Sequence, residues 1–340
     1  MPPTQTATPD RTAAPISLES VVQRWVPSAI LAPSAHNTQP WQFRVNKNTL
    51  EFFVDRSRHL AVSDPTHRQL YIGLGCAITN AVVAARYFGF EPQLQYLPAG
   101  ESAKLPVARL TIFSNQPALA GDKIHSLFSA IEQRHTDRTL YDAQPLTDAE
   151  RELLPASAAP DVIFIEDRAV ISGLAQLTAQ ATEATLSRQD FKAELSHWVR
   201  HNWTRQPDGM PGYAMGMPAA ISLLAPLMVR FAPIHKQEGP KTQQQIESAS
   251  AVAVLTSPAD TPRDWLASGQ RLEQLWLEAT AAGLAAAPLV AAVEAGESIR
   301  RQLQEIVHTS SLPQSIIRIG HSRAGRLRAT PRRTLEDCLR

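Results

Sequence analysis

A chain of 340 residues is long for one ordinary domain and points to two structural units; its 44% hydrophobic and 19% charged content excludes a disordered or fibrous chain. Its 33 lysines and arginines balance 32 aspartates and glutamates, so no global field draws it to nucleic acid or to an anionic membrane. Two cysteines, Cys76 and Cys338, suit reduced thiols in the cytoplasm, and no uninterrupted apolar run of about 18 residues is present to suggest a membrane span.

Residues 1–16, rich in Pro, Thr and Ala, read as a flexible tail. Ser17 is placed to cap a helix that continues through Val21, Val22, Trp25, Val26 and Ile30 toward Pro33. β-type residues on both sides of Asn46-Lys47-Asn48 predict a hairpin over 41–55. Residues 70–90 are apolar almost all round, as in a buried central helix, and 107–113 read as a strand. A loop at 117–121, a helix over 122–133 and a helix after Thr147 follow, the last with Glu150 at capping-box spacing. A strand at 162–165 and helices over 168–199 lead into 202–241, where Pro, Gly and Met surround an apolar segment at 221–231. That stretch reads as an inserted lid or arm. A strand at 251–256, helices over 262–282 and 297–307, and a strand at 315–319 complete the pattern.

Gly75 and Gly89 bracket a helix in the first half with the spacing that Gly269 and Gly283 show in the second. Ile78 then aligns with Leu272, Asn80 with Gln274, Val83 with Leu277 and Ala85 with Ala279, and a strand follows each helix. Two copies of one unit account for this. Two unrelated amphipathic helices ending in glycine caps also satisfy it.

The most informative segment is Ala32-Pro33-Ser34-Ala35-His36-Asn37-Thr38-Gln39-Pro40-Trp41, between a helix end and the first strand. Two prolines hold the backbone extended, so the Ser34 hydroxyl and Asn37 amide are able to face a planar ligand; capping and turning the chain is the equally available use. His197 and His201 lack a third metal ligand at obvious spacing, Gly73-x-Gly75 meets Ile78 where a dinucleotide fingerprint needs glycine, and no G-x-S-x-G occurs.

The pattern A-P-S-x-x-N-x-Q-P-W resembles the flavin-contacting loop of the nitroreductase family, which implies FMN contacts from Pro33, Ser34, Asn37 and Gln39. Arg134-His135-Thr136-Asp137-Arg138 resembles the family's R-R-S-x-R motif, implying that Arg134, His135, Thr136 and Arg138 reach the phosphate and flavin edge. Pro331-Arg332-Arg333, after 317–320, resembles the closing strand and P-R-K/R segment, which gives Arg332 and Arg333 phosphate roles. Pro288-Leu289-Val290 through Glu294 resembles the segment that approaches flavin N5, in the manner of the Acg-type branch of fused pseudo-dimers.

The resemblance implies an α+β fold of two fused copies, each an antiparallel or mixed sheet flanked by helices, at 17–120 and 121–340, as a monomeric pseudo-dimer or a homodimer. It also implies hydride transfer from NADH or NADPH through FMN to a small electron-poor acceptor such as a nitroaromatic or quinone. The alternative it carries is a non-catalytic FMN-sequestering protein. The first half keeps the Ser34/Asn37 loop but lacks the arginine motifs, whereas the second half keeps the arginines and has only Ser157-Ala158-Ala159-Pro160 in place of the loop. One FMN per chain, between the halves, is therefore expected. His36 is available to touch substrate or donate a proton, or to serve as a surface histidine.

Overall fold

The computed structural model describes residues 18–102, 104–113, 121–324 and 327–340; the 1–16 tail, the capping Ser17 and most of the 117–121 loop lie outside the described residues. The chain enters through two short helices, α1 (Leu18–Gln23) and α2 (Val26–Ile30), where one was expected. Pro27 explains the break: it has no N–H to return to the preceding turn, but it fits the first turn of a new helix.

Strand β1 (Trp41–Asn46) turns into β2 (Thr49–Val54) with Asn46 opposite Thr49. Lys47, at φ 52°, supplies the left-handed residue that so tight a hairpin demands. After α3 (Arg68–Tyr87), β3 (Gln93–Tyr96) and β4 (Ala108–Thr111) complete an antiparallel sheet of order β1-β2-β4-β3. Strand β3 gave little sequence signal, because it lies at the sheet edge with polar Gln93 and Gln95 exposed.

The second unit follows the same plan. After α4 (Asp122–Gln133) and α5 (Asp148–Glu152), whose Thr147–Glu150 capping box forms as expected, comes β5 (Val162–Ile165). Its partner strand returns only after an excursion holding α6 (Arg168–Ser187), α7 (Gln189–Trp198), the short parallel pair β6 (Val199–Arg200) and β7 (Met210–Pro211), α8 (Ala219–Ser222), α9 (Ala225–Phe231) and α10 (His235–Glu247). Then follow β8 (Ala251–Ser257), α11 (Pro262–Ala281), β9 (Ala285–Leu289), α12 (Ala291–Glu294), α13 (Glu297–Ile306) and β10 (Leu312–Gly320). The second sheet runs β5-β8-β10-β9. Ranked by chain order, both sheets have the order first, second, fourth, third, with every pair antiparallel and the long helix between the second and third strands. The α+β, two-copy architecture is thus present in the strand order itself. The 202–241 stretch is one part of a larger insertion that replaces the first unit's two-residue turn.

The two units join where α3 crosses α11. A Cβ on Gly75 would stand 2.2 Å from the Leu266 carbonyl oxygen, and one on Gly269 would stand 2.0 Å from that of Ile72, so the two backbones touch at the paired glycines. The helices also end alike: the N–H groups of Phe90 and Leu284 return to the carbonyls of Ala85 and Ala279, past left-handed Gly89 and Gly283. One buried cluster, including Trp25, Trp41, Phe43, Leu266 and Trp276, continues across this seam.

The carboxyl terminus departs from the simple division at residue 121. Helix α14 (Leu335–Cys338) and the residues after it pack on the first sheet, where Leu339 bridges Phe43 and the Arg340 N–H donates to the Phe43 carbonyl at 2.8 Å.

Candidate functional site

A cleft of about 400 Å³ opens at the seam, walled by residues 31–37 of the first unit and by 131–139, 210–216 and 327–332 of the second. The first-unit loop is held in an unusual backbone: His36, Asn37 and Gln39 have φ of 50°, 55° and 52°. Asparagine tolerates this region, but histidine and glutamine are held there at a cost on the order of 1 kcal/mol each. The Ser34 hydroxyl oxygen accepts the Gln39 N–H at 2.9 Å, which pins the loop.

Asn37 does not offer its amide outward. Its Nδ2 donates to the carbonyls of Gly209 and Pro331, both at 3.0 Å, and its Oδ1 accepts from Arg332 Nη1 at 3.0 Å. One buried side chain therefore ties the first unit's loop to the inserted arm and to the carboxyl-terminal segment. The arm is fixed further by Gln39, which donates to the Pro207 carbonyl at 2.7 Å, and by the Arg58–Asp208 ion pair at 2.8 Å. Across the cleft, the Tyr213 hydroxyl donates to the Ala329 carbonyl at 2.9 Å, with the Arg328 guanidinium over its ring.

Two guanidiniums meet beside this loop. Arg134 Nη2 and Arg332 Nη2 both donate to the Leu31 carbonyl, at 2.9 and 3.2 Å. Arg134 lies 4.4 Å from the Trp276 ring, with its Nε 3.2 Å from Glu273 Oε1. Burial, then the neighbouring Arg134, lowers the pKa of Arg332 to about 9. Burial pushes Glu273 up to about 7 against the pull of Arg134. His36 is lowered to about 4 by burial, which leaves its ring neutral near pH 7, and its Nε2 is enclosed without a hydrogen-bond partner among the described residues. Arg332 Nε is likewise enclosed and unpartnered among the described residues. Crowded positive charge and unspent donors are what a bound phosphate ester with a polar ring edge would relieve.

Of the residues singled out in the sequence, Pro33, Ser34, His36, Asn37, Arg134, His135, Thr136, Arg138 and Arg332 all wall the cleft. Gln39 and Arg333 do not. Gln39 is fully buried and its Oε1 accepts the Arg333 N–H at 2.8 Å; the Arg333 guanidinium donates to the carbonyls of Gln39 and Trp41 and pairs with Asp55. Both serve to anchor the carboxyl-terminal segment. Pro288, Leu289, Val290 and Glu294 also stand outside the wall. Pro288 and Leu289 lie in β9 opposite Ile317 and Ile316, Val290 precedes α12, and Glu294 accepts from Arg68 and Gln69 at the start of α3. The expected loop was a strand, because Pro288 interrupts the apolar pattern at a sheet edge where its missing N–H is harmless.

No family model matches the chain. It is 27% identical over 315 residues to a Mycobacterium tuberculosis H37Rv protein provisionally named NAD(P)H nitroreductase Rv3131, covering 91% of this chain and 88% of that one. It is 25% identical over 323 residues to the protein of the same organism provisionally named NAD(P)H nitroreductase Acg, covering 93% and 94%. Over nine-tenths of its length the chain is thus similar to proteins named as nitroreductases, Acg among them. A solved structure of the FMN-dependent nitroreductase NfnB from Mycobacterium smegmatis in complex with NADPH overlaps 64% of this chain and 99% of that one, at 17% identity and a TM-score of 0.40.

Some groups at this cleft escaped the sequence reading. Tyr213 comes from the arm, whose Met210 and Met215, suited by sequence to a lid or a substrate wall, also line the cleft. Arg328 had no signal, since it reads as a loop cation, and Glu273 had only its place in the run Gly269-Gln270-Arg271-Leu272-Glu273, which resembles the Acg-type branch.

Proposed function

We propose that this protein is an FMN-dependent oxidoreductase that takes hydride from NADH or NADPH and passes electrons to a small electron-poor acceptor. The observation that carries the reading is the convergence, in one cleft, of the Ser34–Asn37 loop of one unit with Arg134 and Arg332 of the other. The names of the curated relatives, NAD(P)H nitroreductases, agree with it. The cleft volume lies within the roughly 300–1,000 Å³ usual for cofactor sites.

When bound, the flavin would supply the hydride and electron chemistry, and the protein would hold and orient it. Arg134 and Arg332 would hold the phosphate through charge-assisted bonds. The Ser34 hydroxyl, whose oxygen is already used as an acceptor, keeps its proton for donation, and neutral His36 offers a further N–H or lone pair according to its tautomer. Met210, Tyr213 and Met215 form an apolar wall that keeps water from that part of the cleft.

A single site per chain fits the second unit's counterpart of the loop. There the turn Pro155–Ala158 precedes β5 as Ala35–Asn37 precedes β1, but the Ala156 N–H donates to the carboxylate of Glu278 at 2.8 Å. An acid stands against any phosphate at that position.

The test is the visible spectrum of the purified protein, its FMN-to-chain ratio, and anaerobic mixing with NADH and NADPH. One FMN per chain that bleaches on mixing supports the reading. Protein that refuses added FMN refutes it, and FMN held without bleaching replaces it with sequestration.

A further inference from the structure

The inserted arm carries an apolar surface that the cleft does not use. Helix α9 packs inward through Ala225 and Val229, against Val199 of β6. On its opposite face Leu224, Leu227, Met228 and Phe231 follow the spacing i, i+3, i+4, i+7, and they stand in water, Leu224 and Leu227 each 57% exposed and Phe231 67%. Ile221 and Leu223 continue that exposed surface through α8, and exposed Trp203 lies beside it, where the Asn202 N–H donates to the Ser222 hydroxyl at 2.9 Å. A helix with one face on the core ordinarily turns polar residues outward; α9 is apolar on both faces apart from Arg230. Residues 217–234 hold two polar side chains, Arg230 and a buried Ser222 that donates to the Ala219 carbonyl.

The charge around this surface has one sign. Residues 199–237 hold four basic side chains, Arg200, Arg205, Arg230 and Lys236, and one acid, Asp208, a surplus of three in a chain whose formal total is +1. Asp208 is taken up by Arg58 and Arg200, at 2.8 and 2.9 Å. The acids of the neighbouring helices are engaged too. On α7, Asp190 pairs with Arg188 and Glu194 accepts the N–H groups of Val62 and Ser63; on α10, Glu238 pairs with Lys241. Arg205, Arg230 and Lys236 are exposed and form no ion pair among the described residues. Arg230 belongs to the apolar surface itself, with its guanidinium 5.5 Å from the Phe231 ring.

We propose that the arm docks on the surface of an anionic lipid bilayer, with the exposed apolar side chains of α8 and α9 in the headgroup boundary and Arg205, Arg230 and Lys236 on lipid phosphates. The proposal is independent of the cofactor reading. An exposed apolar patch of this size marks contact with another protein or with a membrane, and two features select the membrane. A second copy seated on the same patch through a two-fold axis would set three cations against three cations. A different protein would meet a rim able to form about one hydrogen bond per 100–200 Å², which 217–234 cannot offer beyond Arg230. Lipid asks for what is present: aliphatic side chains, aromatic rings at the boundary, and cations whose stems reach headgroup phosphates. Helices of 4 and 7 residues are too short to span a bilayer, so the arm lies on it. The near-neutral chain as a whole does not oppose this, because the attraction acts within a Debye length of about 8 Å.

The experiment is flotation of the full chain with vesicles of phosphatidylcholine alone and of phosphatidylcholine mixed with phosphatidylglycerol, at low and high salt. The parent should bind the mixed vesicles, prefer them to the neutral ones, and release them as salt rises. Arg230→Gln and Lys236→Gln should each weaken binding about fivefold, the worth of one cation near an anionic surface. Leu227→Ser combined with Phe231→Ser should weaken it about tenfold or more and leave the melting temperature unchanged, because both side chains already stand in water. The lipid and salt comparisons use the parent alone, so they decide the matter even where a variant folds poorly. A parent that ignores both vesicles, binds both alike, or keeps its binding after the Leu227 and Phe231 substitutions overturns the proposal. Self-association without vesicle binding, abolished by that double substitution in sedimentation velocity, gives the face to a second copy instead. Retention on polyglutamate in place of vesicles gives it to an acidic protein.

Discussion

At Asn37, two demands coincide: a left-handed backbone and a carboxamide with three partners. Replacement by alanine would leave two buried carbonyls and a guanidinium short of a partner and keep the strained φ, for a loss of about 3 kcal/mol or more. Asn37→Gly removes the same hydrogen bonds but relieves the backbone, so it should be about 1 kcal/mol less damaging than Asn37→Ala in chemical denaturation. Equal losses would show that the backbone there is unstrained. Arg332 and Arg333 make a similar contrast between neighbours. Arg332→Ala should weaken FMN by about tenfold to a hundredfold, because a charged hydrogen bond is worth roughly 1.5–3 kcal/mol. Arg333→Ala should act mainly on melting temperature, because its guanidinium is spent on Gln39, Trp41 and Asp55. A reversed ranking in paired binding and melting measurements would contradict the division.

Among elements, the crossing of α3 and α11 carries the seam on which the cleft depends. Gly75→Ala or Gly269→Ala must separate two backbones that now touch, and either should cost more than about 3 kcal/mol, whereas Gly121→Ala meets nothing within 4 Å and should be close to neutral. Thermal melting of the three variants checks this directly. Capping and periodicity marked the helices well: the expected 122–133 and 262–282 helices appear as Asp122–Gln133 and Pro262–Ala281, and the capping box at Thr147 forms. Those signals are local, so they survive whatever the rest of the chain does. β3 and β9 were hidden because an edge strand with one buried face, or with a proline, resembles a loop until its partner strand is known.

For the molecule as a whole, the last ten residues return to the first sheet, carrying Arg332 into the cleft and Arg333 under Gln39. Removal of 331–340 should therefore abolish FMN binding and also lower the melting temperature, through loss of the Arg333 anchor and exposure of the surface that Cys338 covers. Truncated protein with parental melting would show that the segment adds nothing to the fold. The sequence alone determined most of the helices, the first hairpin and the place of the polar loop, because turn chemistry, helix caps and hydrophobic period are written in adjacent residues; the α+β, two-copy class was what the family resemblance implied, and the glycine spacing agreed with it. Only the tertiary structure decided which side chains share the cleft: Asn37 and Arg332 lie 295 positions apart, and Arg332 and Arg333 diverge although adjacent. Local physics sets the shape of each segment, but burial and charge at the site depend on which segments meet, and that is fixed only when the two copies pack.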